Sequence, residues 1–222
     1  AAYGLVAYQT AYLKANYQIE FMTAVATSEI GNSAVGNADK ENKLVTYLEE
    51  ARNMGITILP PDVQKSQAKF SIEPPHSIRF GLVAVKNVGE GAVDSILKAR
   101  QEAPFKDLDD LCARVDLHAA NKKVFESLIK AGALDSLEKG TSPGEIRGRL
   151  LAKVDASMNR QARIREDLSR GQGLLFGALS VMDEALSANS VLSVSAPSPA
   201  VAENDVLKFE KEVLGFYFSG HP

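Results

Sequence analysis

The stretch LVAVKNVGEGAVDSIL, Leu82 to Leu97, leaves the backbone few paths. Apolar residues run into Lys86-Asn87-Val88-Gly89, and helical spacing begins near Glu90, with Val93, Ile96 and Leu97 on one face. The glycine lets backbone come close to another group, and the first N–H groups of the second helix point toward an anion. Asn87 stands at the first turn position, where this pattern usually has glycine; Asn tolerates left-handed dihedrals better than most residues.

Such a segment is close to the helix-hairpin-helix pattern, with Val88 packed beneath the turn. Two readings compete for it. One is a plain αα-turn closed by a C-cap glycine. The other is a phosphate-contacting hairpin in which Lys86, Asn87, Val88, Gly89 and Gly91 approach DNA, positioning it without reading its bases. The next stretch, Phe105 to Leu137, shifts the balance toward the second. It gives further short helices ending in KAGALD and reads as a second, degenerate hairpin. Asn121, Lys122 and Lys123 open its second half, again at a helix start. Two such units packed together would grip duplex DNA from one side.

Around this centre the chain is helical, and the expected fold is mostly α and multi-helical, with a tandem helix-hairpin-helix module and a minor β element near residues 56 to 83. Residues 1 to 28 carry Leu5, Tyr8, Tyr12, Phe21, Met22 and Val25 at helical spacing, with a bend at Asn16-Tyr17. The expectation is an amphipathic core helix with the hydroxyls of Tyr3, Tyr8, Tyr12 and Tyr17 at its rim; the alternative is that some of them touch a base or nucleotide. Asn37 or Asp39 is the expected cap of a helix through KLVTYLEEARNM that stops at Gly55. ITILPPD reads as a short strand halted by Pro60-Pro61, and AKFSI and IRFGL read as a strand pair. Residues 143 to 169 form one long helix or a broken pair. A Ser/Ala/Pro-rich linker then leads to a last helix capped by Asn204 or Asp205 and ended near Gly215. No internal repeat is visible beyond the two hairpins. Both ends read as the inside of a longer polypeptide.

Composition excludes several classes. A net charge of -3 and a pI near 5.7 argue against a strongly basic nucleic-acid binder, but DNA contact through a local patch stays open. Cys112 is the single cysteine, which forbids an internal disulfide and fits a reducing, cytoplasmic setting. No apolar run is long enough for a membrane span. Asp107, Asp109 and Asp110 suit a first helical turn better than a metal site. His76, His118 and His221 lack zinc spacing. No phosphate-binding GxxxxGK[ST] loop and no supported nucleophile triad occurs, so the expectation is no catalytic residue and no metal ligand in this stretch.

SRGQGLLFGALS, Ser169 to Ser180, sets Leu174, Leu175 and Phe176 together just after Gln172 in polar surroundings. Gly171, Gly173 and Gly177 imitate a phosphate loop, but large side chains fill the positions that should stay small. Such a cluster needs a burying partner: the chain's own core, another protein, or a cofactor.

The segments AAYGLVAYQTAYLKANYQIEFM, EARNMGITILPPDV, IRFGLVAVKNVGEGAV, NKKVFESLIKAGALD and EKEVLGFYFSGHP resemble, in this order, the family of bacterial DNA polymerase III alpha subunits, the C-family replicative polymerases. The resemblance implies the end of a fingers domain at residues 1 to 70 and a tandem helix-hairpin-helix region at 71 to 137. It further implies a long helix with a clamp-binding motif at 138 to 177, a linker at 178 to 203, and a helix at 204 to 222 leading toward an OB-fold domain. It implies a DNA-directed DNA polymerase, a nucleotidyltransferase of DNA replication, whose two-metal palm with Mg2+ lies upstream, so that this section binds no cofactor and is inactive alone. Its implied partners are duplex DNA, the sliding clamp and other holoenzyme subunits, with no membrane. The family's clamp peptide places Gln172, Leu174, Leu175 and Phe176 at the contact, with Leu175 and Phe176 as pocket anchors. A stand-alone helix-hairpin-helix scaffold or repair module is the alternative reading.

Overall fold

The computed structural model describes residues 2–30, 43–169, 201–218 and 220. The expected caps Asn37 and Asp39, the motif Gln172, Leu174, Leu175 and Phe176, most of the linker, and His221 lie outside the described residues. Three helices lead: α1 (Ala2–Asn16), α2 (Gln18–Ser28) and α3 (Lys43–Asn53). The chain breaks helix between α1 and α2 at Tyr17, where the bend was expected. Met22 and Ala26 of α2 pack with Leu44, Leu48 and Ala51 of α3. Gly55, at φ 82, turns the chain out of α3 through a left-handed step that side chains rarely adopt.

α1 corrects one expectation. None of its residues is buried, and Tyr3, Leu5, Val6, Tyr8, Tyr12 and Leu13 are all exposed. Apolar spacing identified the helix, but its apolar residues cover no core among the described residues.

Three short strands follow: β1 (Thr57–Leu59), β2 (Ser71–Glu73) and β3 (Ser77–Arg79). β2 and β3 form the strand pair read from the sequence, running antiparallel, while β1 joins β3 in parallel and gives the order β1-β3-β2. Arg79 is buried at the centre, paired with Glu73 and donating to the Pro60 carbonyl at 2.9 Å.

Next come the 3-10 turn Leu82–Ala84, α4 (Glu90–Glu102), α5 (Leu108–Arg114), α6 (Lys122–Lys130) and the 3-10 turn Asp135–Leu137. α7 (Pro143–Ser169) is a single unbroken helix and α8 (Glu203–Leu214) closes the fold. The start of α7 is written in its sequence. Pro143 occupies the first helical position, Ser142 Oγ accepts the Glu145 N–H at 3.3 Å, and the Glu145 carboxylate accepts the Thr141 N–H at 3.1 Å. Asp107 caps α5 by accepting the Asp110 N–H at 2.8 Å, as carboxylates there were expected to do.

The start of α8 differs from its expected form. Ala202 is the N-cap and makes no side-chain cap, while Asn204 and Asp205 lie within the first turn. Local capping gives way here to a tertiary bond, since the adjacent Val201 N–H donates to the Gly144 carbonyl of α7 at 3.3 Å. Gly215 ends the helix in the left-handed conformation, as read. Beyond it, Phe216 and Phe218 pack on Phe80, which also meets Phe70 edge-on at 4.8 Å. The Arg52 guanidinium lies over both rings, 5.3 Å from Phe216 and 5.7 Å from Phe218. The chain's last described stretch therefore ties the α3 end of the molecule to the helices around α6.

Candidate nucleic-acid interface

The first hairpin forms, with one change of form: its leading arm is a single 3-10 turn instead of an α-helix. Asn87 takes φ 66, the left-handed conformation the pattern requires, and among the described residues it is the one non-glycine with positive φ. Its amide steadies that conformation, Nδ2 donating to Ser127 Oγ at 3.1 Å. Val88 is buried beneath the turn, contributing about 1.5–3 kcal/mol by its removal from water. Gly89 caps α4 in extended conformation, and a Cβ added there would meet nothing within 4 Å, so its outer side is open.

Lys86 presents an exposed side chain on this turn, while its backbone N–H donates to the Val213 carbonyl of α8 at 2.9 Å. The α8 contact was not legible in the sequence, because more than a hundred residues separate the two positions.

The second hairpin joins α5 to α6 through residues 115 to 121. Asn121 caps α6, its side-chain oxygen accepting the Val124 N–H at 3.2 Å. Phe125, Leu128 and Ile129 of α6 are buried in the core. Lys123 is exposed and has no hydrogen-bond or ion-pair partner among the described residues. Lys122 differs: Asp155 of α7 holds its ammonium at 2.7 Å and Glu126 lies at 3.7 Å, so its pKa is raised, chiefly by the Asp155 bond.

The two starts are brought together. A Cβ added at Gly91 in the first turn of α4 would lie 3.9 Å from the Ala119 methyl, two residues before the Asn121 cap of α6. The Asp116 N–H donates to Ser95 Oγ of α4 at 2.8 Å. Lys86, Asn87, Val88, Gly89 and Gly91 thus share one hairpin turn and helix start, and Asn121, Lys122 and Lys123 form the adjacent one.

α7 braces this pair from outside. Arg165 donates to the carbonyls of Cys112, Ala113 and Val115 at 3.0, 2.8 and 2.6 Å, closing the C-terminal end of α5. Arg160 meets Asp109 at 3.0 Å. Burial and the nearby Asp109 carboxylate push the Cys112 thiol up to about 12. At the other end of α7, buried Arg147 bonds Asp135 at 3.2 Å and Glu210 at 3.0 Å. Burial raises the Asp135 carboxyl to about 6 against the pull of Arg147.

The cleft beside α4, about 730 Å³, mixes Lys98, Arg114 and Arg165 with Asp94, Glu102 and Asp116. Its two arginines are already bonded to carbonyls, Arg114 to that of Ala103 at 2.8 Å. Among the described residues no group of three or more His, Cys, Asp or Glu could hold a metal ion, and no helix is long and apolar enough to cross a membrane.

Comparison with known proteins agrees with this geometry. A helix-hairpin-helix motif family model matches residues 55–142. The whole chain is 39% identical over 231 residues to a DNA polymerase III subunit alpha of Pseudomonas fluorescens, covering 19% of that protein. It is 41% identical over 221 residues to the one of Bacillus subtilis, covering 18%, and 40% identical over 223 residues to one of Mycobacterium tuberculosis, covering 17%. The chain therefore spans less than a fifth of the length of the curated relatives it matches.

Proposed function

The chain corresponds along its whole length to one section of the bacterial DNA polymerase III alpha subunits, and from that premise we propose that it is the section that holds product duplex and docks on the sliding clamp during chromosomal replication. The observation that carries this is the juxtaposition of the two hairpin starts, Gly91 beside Ala119, with Lys86 and Lys123 exposed around them. Backbone N–H groups at a glycine-capped start and an Asn-capped start suit the phosphates of a duplex. The amides that could read a base edge are engaged within the fold, Asn87 with Ser127 and Asn121 with the Val124 N–H, and Lys86 and Lys123 offer charge to phosphate, so the binding is sequence-independent.

The clamp half of the proposal rests on Gln172, Leu174, Leu175 and Phe176 as a peptide ligand. Leu175 and Phe176 would fill an apolar pocket, supplying on the order of 1.5–3 kcal/mol per side chain, with the Gln172 amide bonded at the rim. A clamp tether raises the effective concentration of the enzyme at the primer end. The polymerising step belongs to carboxylates elsewhere in the parent enzyme. There Mg2+ would stabilise the charge of phosphoryl transfer, and the described residues here offer no cluster that fits it. Cytoplasmic action with other holoenzyme subunits follows from this reading.

The test is a pair of titrations on the full 222-residue chain. Duplexes of unrelated sequence should bind with similar affinity and a log–log salt slope of a few contacts; one strongly preferred sequence would contradict the proposal. A bacterial sliding clamp should bind the chain, and Leu175→Ala with Phe176→Ala should abolish that binding. Retention of clamp affinity by the double variant would remove the clamp assignment.

A further inference from the structure

The two hairpins repeat at a fixed offset. Their helix caps, Gly89 and Asn121, are thirty-two residues apart, and the sixth residue of each following helix is a serine, Ser95 in α4 and Ser127 in α6. Each serine is used in the same way. Ser127 Oγ of the second hairpin accepts Asn87 Nδ2 from the turn of the first, at 3.1 Å. Ser95 Oγ of the first accepts the Asp116 N–H from the turn of the second, at 2.8 Å. Each turn is thus fastened to the partner hairpin's helix, and the two bridges flank the point where Gly91 faces Ala119.

We propose that Ser95 and Ser127 are a reciprocal pair of positioning residues, which fix the spacing between the two helix starts so that both engage one duplex at once. The inference rests on the reading of the tandem as a duplex-DNA grip. Packing alone does not demand hydroxyls at these positions. The Ser95 bridge is exposed, and its loss leaves the Asp116 N–H to water, so a fold-stabilising role would be small. The Ser127 bridge explains the Asn at position 87. Glycine would supply the positive φ equally well, but only a side chain that carries a donor can reach across to α6.

Preorganisation of two contacts makes the second intramolecular once the first is made. Loosening a bridge should leave each hairpin able to touch phosphate but less able to act with its twin. The experiment is duplex binding by the full chain across a salt series for Ser95→Ala, Ser127→Ala, their combination and Asn87→Gly, with thermal melting as a control for folding. Each single variant should weaken binding about threefold to tenfold. The double serine variant should lower the salt slope toward about half, as one hairpin at a time carries the contacts. Asn87→Gly combined with Ser127→Ala should be no weaker than either alone, because both remove one bond.

A double serine variant that binds with the native affinity and slope overturns the proposal. So does additive loss between Asn87→Gly and Ser127→Ala. A native chain that binds no duplex removes the grip itself. That failure is distinct, because amide exchange at Asp116 still reports whether Ser95→Ala opens the bridge.

Discussion

Arg147 donates to the Glu210 carboxylate at 3.0 Å, in a place where the two side chains retain 5% and 0% of their exposure. The same carboxylate accepts the Phe218 N–H at 2.7 Å, and the Arg147 guanidinium also reaches Asp135 and the Lys130 carbonyl. One buried charge thus joins α7, the 3-10 turn at Asp135, the end of α6, and the chain beyond α8. Removing one member of such a group leaves the others buried with a counter-charge missing. Arg147→Met should cost about 3–5 kcal/mol of unfolding free energy. Glu210→Gln should cost less, because an amide oxygen still accepts from Phe218; denaturant midpoints of the two variants measure the order.

Asp135 gives stability a pH dependence of fixed sign. Burial holds its folded carboxyl near 6, above the value of about 3.9 in an unfolded chain. Between those values the native state binds the extra proton, so this group's contribution falls as pH rises from about 4 to about 6 and stays low above that. The difference is on the order of 3 kcal/mol. Asp135→Asn should remove that slope, read as the change in denaturant midpoint between pH 5 and pH 7.

Gly132 sits at φ 79 with the Arg147 guanidinium against the place a Cβ would occupy. Gly132→Ala combines left-handed strain with displacement of a buried ion. It should lose at least about 1–2 kcal/mol from the backbone term alone. Gly89→Ala, where the same atom would meet open space, is the comparison and should lose less, about the 0.5–1 kcal/mol of a poorer N-cap.

Cys112 is fully buried, and its thiol is pushed up to about 12, so the thiolate that alkylating reagents attack is scarce at neutral pH. The folded chain should resist iodoacetamide at pH 8 and react once unfolded. Mass spectrometry over time gives the rate, and fast native labelling would contradict this burial.

Lys122 and Lys123 should respond differently in DNA binding although they are neighbours. Asp155 already holds Lys122, so phosphate must compete for it, while Lys123 is unengaged among the described residues. Lys123→Gln should lower the salt slope by about one contact, and Lys122→Gln by less. Asp155→Asn should tighten duplex binding at low salt by releasing Lys122. Equal effects of the two lysine changes would contradict this.

What the sequence disclosed is mainly what is decided within a few residues. Asn87 at positive φ, Asp107 and Asn121 at helix starts, and Gly55 and Gly215 at helix ends each follow from local sterics or from one short hydrogen bond. What it concealed depends on distant partners. The parallel pairing of β1 with β3 and the return of Phe216 to Phe80 carry no local signal. Apolar periodicity located α1 but could not say whether anything covers it, because spacing defines a face and not its neighbour. The cap of α8 was misplaced for a related reason, since the Val201–Gly144 bond outweighed the side-chain preference of Asn204. Among the hairpin residues, types and spacing pointed to the turn starts. The serines that link them were invisible until their partners were placed, for an isolated Ser in a helix carries no such signal.

The bond from the Lys86 amide to the Val213 carbonyl gives the molecule a built-in observation point. One backbone proton lies on the outward-facing turn and at the same time reports whether the end of α8 is seated. In an amide spectrum of the labelled chain, that single resonance should shift when duplex is added, and should exchange quickly in any variant whose last helix has come away. Two events at different parts of the surface could then be followed through one signal, without attaching a dye to either.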